Sequence, residues 1–114
     1  MSWAEALSTI YALLAATRAI GIIPEDVNGA LSASGIDTSP SLVLFDAVPG
    51  GAGHAKRIVQ RLGELVHAAR DVVENCECGE DSSCYGCLRS YSNQSYHDQL
   101  VRGDALRILR SMSQ

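Results

Sequence analysis

Cys76-Glu77-Cys78-Gly79-Glu80-Asp81-Ser82-Ser83-Cys84-Tyr85-Gly86-Cys87 holds all four cysteines of the chain. The second pair has the two-residue spacing of a zinc knuckle, and Gly86 can take the bend that turns both sulfurs toward one ion. The first pair has one intervening residue, a less usual but workable spacing. A tetrahedral Zn2+ takes four such ligands at about 2.3 Å and needs no fifth when its role is structural. Cys76, Cys78, Cys84 and Cys87 are therefore the candidate ligands of a closed four-cysteine zinc site, with His67 and His97 as spare donors. An iron–sulfur cluster would take the same thiolates. A redox-active Cys84–Cys87 pair is a third reading, which leaves Cys76 and Cys78 idle. A disulfide framework suits small secreted proteins, whereas this chain carries long core-forming helical patterns.

Those patterns flank the cluster. Before it, Ala55, Ile58, Val59, Leu62, Leu65, Val66, Ala69, Val72 and Val73 recur at three and four over about five turns. Lys56, Arg57, Gln60, Arg61, Glu64 and Arg70 take the opposite side. This spacing predicts one long second helix. After the cluster, Ser95 and Asp98 have capping-box spacing and open a last helix that buries Leu100, Val101, Ala105, Ile108, Leu109 and Met112. The metal is expected to hold the end of the long helix against the last one, replacing core that a short loop cannot supply.

Further from the cluster, Trp3, Ala6, Leu7, Ile10, Leu13, Leu14 and Thr17 share one face of a first helix. Ser2 and Glu5 form its capping box, Gly21 stops it and Pro24 prevents its resumption. Ile22, Ile23, Val27 and Leu31 suggest an extended segment over 22–33, and Ser34 to Pro40 reads as a turn or loop. Leu42-Val43-Leu44-Phe45 is a continuous apolar run, the mark of a strand buried on both faces. The connection is short, so the two strands should pair as an antiparallel hairpin. The fold class is α+β: amphipathic helices on a small β-hairpin, with a four-cysteine zinc knuckle between the long second helix and the C-terminal helix. A two-stranded sheet is marginal alone, so the helices must supply most of the core.

A chain of 114 residues with 46% hydrophobic content has room for one domain, 1–114. Its net charge is -4, from 9 basic and 13 acidic side chains. Four thiolates on one Zn2+ would bring that to about -6, because a metal ligand must be deprotonated. Such a balance argues against a stand-alone nucleic-acid binder, and Glu74, Glu77, Glu80 and Asp81 make the first half of the knuckle a poor phosphate clamp. No apolar stretch reaches the length of a membrane span and no signal peptide is evident, so a cytoplasmic location is expected.

Two weaker signals bear on chemistry. The loop Pro49-Gly50-Gly51-Ala52-Gly53 leads into the long helix, whose free N–H groups could meet a phosphate or DNA backbone with help from Lys56, Arg57 and Arg61. Lys56 and Arg57 oppose the positive end of the helix dipole, and Arg102, Arg107 and Arg110 form a second basic surface. The loop lacks a Gly-Lys-Ser/Thr ending, Asp46 sits at its mouth, and tight strand–helix packing explains the glycines as well. Asp46 and His54 could form an acid–base pair, but no nucleophile or open metal position completes a site. Tyr85, Tyr91 and Tyr96 crowd the cysteines, where packing is a commoner use than base stacking.

Together, Leu42-Val-Leu-Phe-Asp-Ala-Val-Pro-Gly-Gly-Ala-Gly-His54, the cysteine cluster, Cys87-Leu-Arg-Ser-Tyr91-Ser-Asn93-Gln94, and His97, Leu100, Arg102, Ala105 and Leu106 closely resemble the MrfA-type zinc-binding domain. That module occurs at the C-terminal end of certain superfamily 2 DEAD/DEAH-box helicases and in the DrmB protein of DISARM anti-phage systems. The resemblance implies a Zn2+ site on the four cysteines, a helicase motor as partner in cis or in trans, and work in DNA repair or phage defence. A bacterial source is expected with it; the acidic total makes any DNA contact of the lone domain weak, and no membrane association is expected. The chain has no Walker A sequence and no Asp-Glu-x-His box, so it reads as a non-enzymatic fragment or small accessory partner. The competing function is a small metal-dependent or thiol-redox enzyme using the Asp46–His54 loop or the cysteine cluster.

Overall fold

Ser2 and Glu5 start the first helix in the predicted way. The Glu5 amide donates to Ser2 Oγ, and Ser2 N–H donates to the Glu5 carboxylate. The computed structural model describes residues 2–32, 40–47 and 53–112; the side chains of Tyr91 and Ser92 lie outside that description. Helix α1 runs Trp3–Ala15 and buries Ala6, Leu7, Ile10, Leu13 and Leu14 as its periodicity requires. Ser8, Thr9 and Ala12 are buried as well, so α1 is enclosed on more than one side. The two hydroxyls are satisfied inside: Thr9 Oγ1 donates to Glu5 O at 2.8 Å, and Ser8 Oγ accepts the Val101 amide at 2.8 Å. Trp3 departs from the predicted face and is 49% exposed, because it occupies the first turn, beyond the packed elements. A 3-10 turn, Thr17–Ile20, carries the chain to Gly21, and a second, Pro24–Asp26, leads into the sheet.

Strands β1 (Val27–Ser32) and β2 (Ser41–Asp46) pair antiparallel, from Val27 opposite Asp46 to Ser32 opposite Ser41. Most of the predicted 34–40 loop lies outside the described residues. The hairpin is as expected, but β2 is not buried on both faces. Leu42 and Leu44 are half-buried against the core, while Val43 and Phe45 are exposed at 40% and 42%. Among the described residues the sheet has two strands, and α1 packs on it, leaving the alternate side chains outward.

The long second helix is divided. Helix α2 covers His54–Gln60 and α3 covers Leu62–Asn75, with Arg61 at φ -121° and ψ 30° between them. The physical reason is packing: α2 leans on β2 while α3 lies along α1 and α4, and one straight rod cannot follow both. Ile58, Leu65, Val66, Ala69 and Val73 are buried as predicted, whereas Val59 and Leu62 face solvent.

The last helix also starts later than its pattern suggests. Tyr91–Gln99 is a 3-10 segment kinked at Asn93, and its capping box is Ser90 with Asn93 rather than Ser95 with Asp98. Asn93 is fully buried. It accepts the Ser90 amide at 2.8 Å and donates to Leu88 O at 2.9 Å. These bonds hold residues 88–93 in tight turns, so the helical segment opens at Ser90 and not at Ser95. Helix α4 then spans Arg102–Met112 and buries Ala105, Leu106 and Leu109; Met112 is exposed. The core is thus α1, α3 and α4 packed around Leu13, Leu65, Val73, Leu88, Leu100 and Leu109, with the hairpin on α1.

Candidate metal centre

Helix α3 ends at Asn75, whose side-chain amide donates to the Asp71 carbonyl. Cys76 is the first residue in extended backbone, at φ -72° and ψ 136°. The second pair is set by a tight turn in which the amides of Cys87, Leu88 and Arg89 all reach the Cys84 carbonyl, at 3.1, 3.1 and 2.9 Å. The same turn points the Cys84 amide at Cys87 Sγ, 3.4 Å away. Cys87 is buried beside Leu88, and the other three cysteines are half-buried.

The four sulfurs lie within 4.8 Å of one another. Cys76 Sγ is 3.5 Å from Cys78 and 3.4 Å from Cys84, and Cys87 Sγ is 3.6 Å from Cys78 and 3.9 Å from Cys84. A tetrahedron with metal–sulfur bonds of about 2.3 Å has edges of about 3.8 Å, so the donor set fits a Zn2+. All four are free thiols, with separations far beyond the roughly 2.05 Å of a disulfide. Among the thiols alone, the Cys78 amide holds the Cys76 thiol down to about 7. Burial pushes Cys78 up, and pushes Cys87 up to about 12. A divalent ion reverses that penalty by converting buried thiols to bound thiolates.

The spare donors are placed elsewhere. His97 Nε2 lies 2.8 Å from Asn93 Oδ1 and 3.0 Å from Ser90 O; both are acceptors, so this nitrogen carries the proton. Its ring meets Tyr85 edge-on at 5.4 Å. His67 is exposed on α3. Tyr96 lies against Tyr11 at 6.3 Å, and both Tyr85 and Tyr96 keep an exposed side.

Of the glycine loop, Gly50 and Gly51 lie outside the described residues. Gly53 precedes α2 at φ 79°, a left-handed conformation, with open space where a side chain would stand. Gly53→Ala is expected to cost about 1–2 kcal/mol by backbone strain alone, measurable by denaturant titration. Asp46 caps α2: its Oδ1 accepts the His54 and Ala55 amides at 2.9 and 3.2 Å. Those are amides that a phosphate would need. The His54 ring instead faces Asp26 at 3.7 Å, so Asp46 and His54 are joined through backbone and not as an acid–base pair.

The basic residues separate into two sets. Lys56 and Arg57 are exposed and form no ion pair among the described residues, whereas Arg61 is paired with Glu64 at 2.6 Å. On α4, Arg107 pairs with Glu5 and Asp104, and Arg110 with Glu74. Arg102 is buried, donating from Nε to Cys78 O at 3.0 Å and from Nη1 to Val73 O at 2.6 Å. Its position on the apolar stripe of Ala105, Leu106 and Leu109 is the one sequence signal for this role.

A model of the MrfA Zn-binding domain matches residues 9–88. The chain is 36% identical over 69 residues to Druantia protein DruE of Escherichia coli (strain UMEA 4076-1), covering 60% of this chain and 4% of that protein. It is 31% identical over 49 residues to the uncharacterized ATP-dependent helicase YprA of Bacillus subtilis (strain 168), covering 43% of this chain and 6% of that one. The chain thus spans a small part of the length of either relative. No solved structure matches. No helix among the described residues is long and apolar enough to cross a membrane.

Proposed function

The chain belongs to the MrfA Zn-binding domain family, and we therefore propose that it is a zinc-stabilised accessory domain of a DNA helicase or helicase-associated protein. In this reading Cys76, Cys78, Cys84 and Cys87 hold one Zn2+, and the domain docks on the motor or on its DNA without catalysing a reaction itself. The observation that carries it is the set of four sulfurs spaced for one ion, in a chain similar to segments of a Druantia protein and an ATP-dependent helicase. The resemblance to helicase-associated zinc-binding modules extends this reading to a role in DNA repair or phage defence, and the ATP-dependent helicase among the relatives supports the helicase association. A closed four-thiolate site leaves no coordination position for a substrate, which favours scaffolding over metal catalysis.

Metal analysis with a thiol count tests this directly. One zinc per chain and no thiol reactive under native conditions is expected; two cysteines that cycle reversibly between thiol and disulfide would overturn it. The zinc affinity should also depend on pH. Cys78 and Cys87 are raised above 9.0, the ordinary thiol value, so at neutral pH both are protonated without the ion. Zinc binding must displace those protons, and affinity therefore rises with pH and falls on acidification. Calorimetry in buffers of different ionisation enthalpy measures the protons released.

DNA contact by the lone domain is expected to be weak. The α4 arginines are engaged with Glu5, Asp104, Glu74 and backbone carbonyls and Arg61 with Glu64, which leaves Lys56 and Arg57, beside Gly53, of the contacts predicted from the sequence. Binding to single-stranded DNA should be micromolar or weaker with a shallow salt slope, and tighten only when a motor holds the strand nearby. Nanomolar, salt-insensitive binding would overturn the accessory reading. Unchanged binding by Lys56→Glu/Arg57→Glu would remove this patch from it.

A further inference from the structure

We propose that Arg102, together with the first turn of α4, is the positioning element of the metal knuckle, so that zinc affinity is set from the C-terminal helix as well as by the ligands. The inference rests on the four cysteines holding zinc. Arg102 is only 7% exposed, yet carries a full charge into the space between α3 and the cysteine loop. Its guanidinium joins the last turn of α3, through Val73 O, to the knuckle itself, through Cys78 O. The backbone continues the same attachment: the Arg102 amide donates to Ser82 O at 2.8 Å and the Gly103 amide to Glu80 O at 2.9 Å. Two carbonyls between the cysteine pairs, Glu80 and Ser82, and that of Cys78 itself are thereby fixed by one residue pair at the start of α4. The approach is so close that a Cβ on Gly103 would lie 2.9 Å from Glu80 O.

Two physical effects follow. Holding Glu80, Ser82 and Cys78 fixes the loop that separates Cys76 and Cys78 from Cys84 and Cys87, so less order has to be created when the ion binds. The guanidinium and the positive end of the α4 dipole also face a loop that becomes a dianionic tetrathiolate centre on binding, which they stabilise. A buried arginine whose only task was to fill the core would be a poor choice, since an apolar side chain of similar volume avoids the desolvation cost.

The experiment measures zinc affinity by competition with a chromophoric chelator, and Co2+ substitution spectra, for wild type, Arg102→Met, Arg102→Lys and Gly103→Ala. Ser8→Ala serves as control: it removes the Val101 attachment of α1 to the start of α4 but touches no knuckle atom. Arg102→Met should bind zinc at least tenfold more weakly than a Ser8→Ala protein of equal or lower thermal stability. Arg102→Lys should recover part of that loss, and Gly103→Ala should reproduce it with the guanidinium intact. The Co2+ spectrum should remain that of a tetrahedral tetrathiolate. If Arg102→Met cannot be purified folded, Gly103→Ala and Arg102→Lys decide by the same comparison. Affinity losses no larger than that of the control overturn the inference and leave Arg102 a packing residue. A wild type that binds neither zinc nor cobalt overturns the zinc assignment and this inference with it.

Discussion

Cys87→Ser is expected to remove zinc and the cooperative unfolding transition together. Cys87 is both a member of the sulfur cluster and a buried core residue packed with Leu88, so the substitution strikes ligation and packing at once. Apparent binding energies of structural zinc are of order 10–16 kcal/mol near neutral pH. A whole domain of this size has a net stability of roughly 5–15 kcal/mol, so the loss of one ligand can exhaust it. Metal content and thermal melting by circular dichroism check this. Chelator treatment of the wild type should give the same broad, non-cooperative melt. A metal-free Cys87→Ser protein that melts as sharply as wild type would end the structural-zinc reading.

The second large effect belongs to the core. Leu65 and Leu62 lie three residues apart on α3, but Leu65 is fully buried while Leu62 is 43% exposed. Leu65→Ala should cost about 2–5 kcal/mol by lost burial and a residual cavity, whereas Leu62→Ala should stay within about 0.5 kcal/mol. A single continuous helix with both leucines on its apolar face would make the two costs alike. Urea titrations of the two variants, with zinc held saturating, distinguish the arrangements.

That pair also marks where sequence reasoning stops. The apolar repeat from Ala55 to Val73 identifies helical structure and the buried face of its second half, where Leu65, Val66, Ala69 and Val73 keep the period; in α2 it finds Ile58 but misplaces Val59. It does not reveal the break at Arg61, an ordinary helix former, because the break comes from where β2, α1 and α4 stand. Likewise Leu42 to Phe45 reads as doubly buried, since an apolar run cannot report how many layers cover it. The first helix is legible to its cap, because Ser2 and Glu5 act within one turn. The cysteine cluster is legible from spacing, the property that decides ligation. Arg102 reads as surface charge, and its partners at Val73 and Cys78 are carbonyls that leave no mark in the sequence. The same holds for Asn93, whose burial depends on Leu88, Ser90 and His97 meeting around it.

The attachments between α1 and the C-terminal part of the chain bear on how the domain assembles. The Ser8–Val101 bond joins residues 93 positions apart, and the Glu5–Arg107 pair joins residues 102 apart. Contacts that distant require closure of almost the whole polypeptide before they return any energy, and folding slows as such contacts come to dominate. The knuckle closes a much shorter loop and can form early, with α3 already leading into it. The docking of α1 onto α4 is then expected to follow it. Until it occurs, the sides of α1 and α4 that pack on each other stand bare to solvent, and that is the interval in which the newly made chain is most exposed to misassociation.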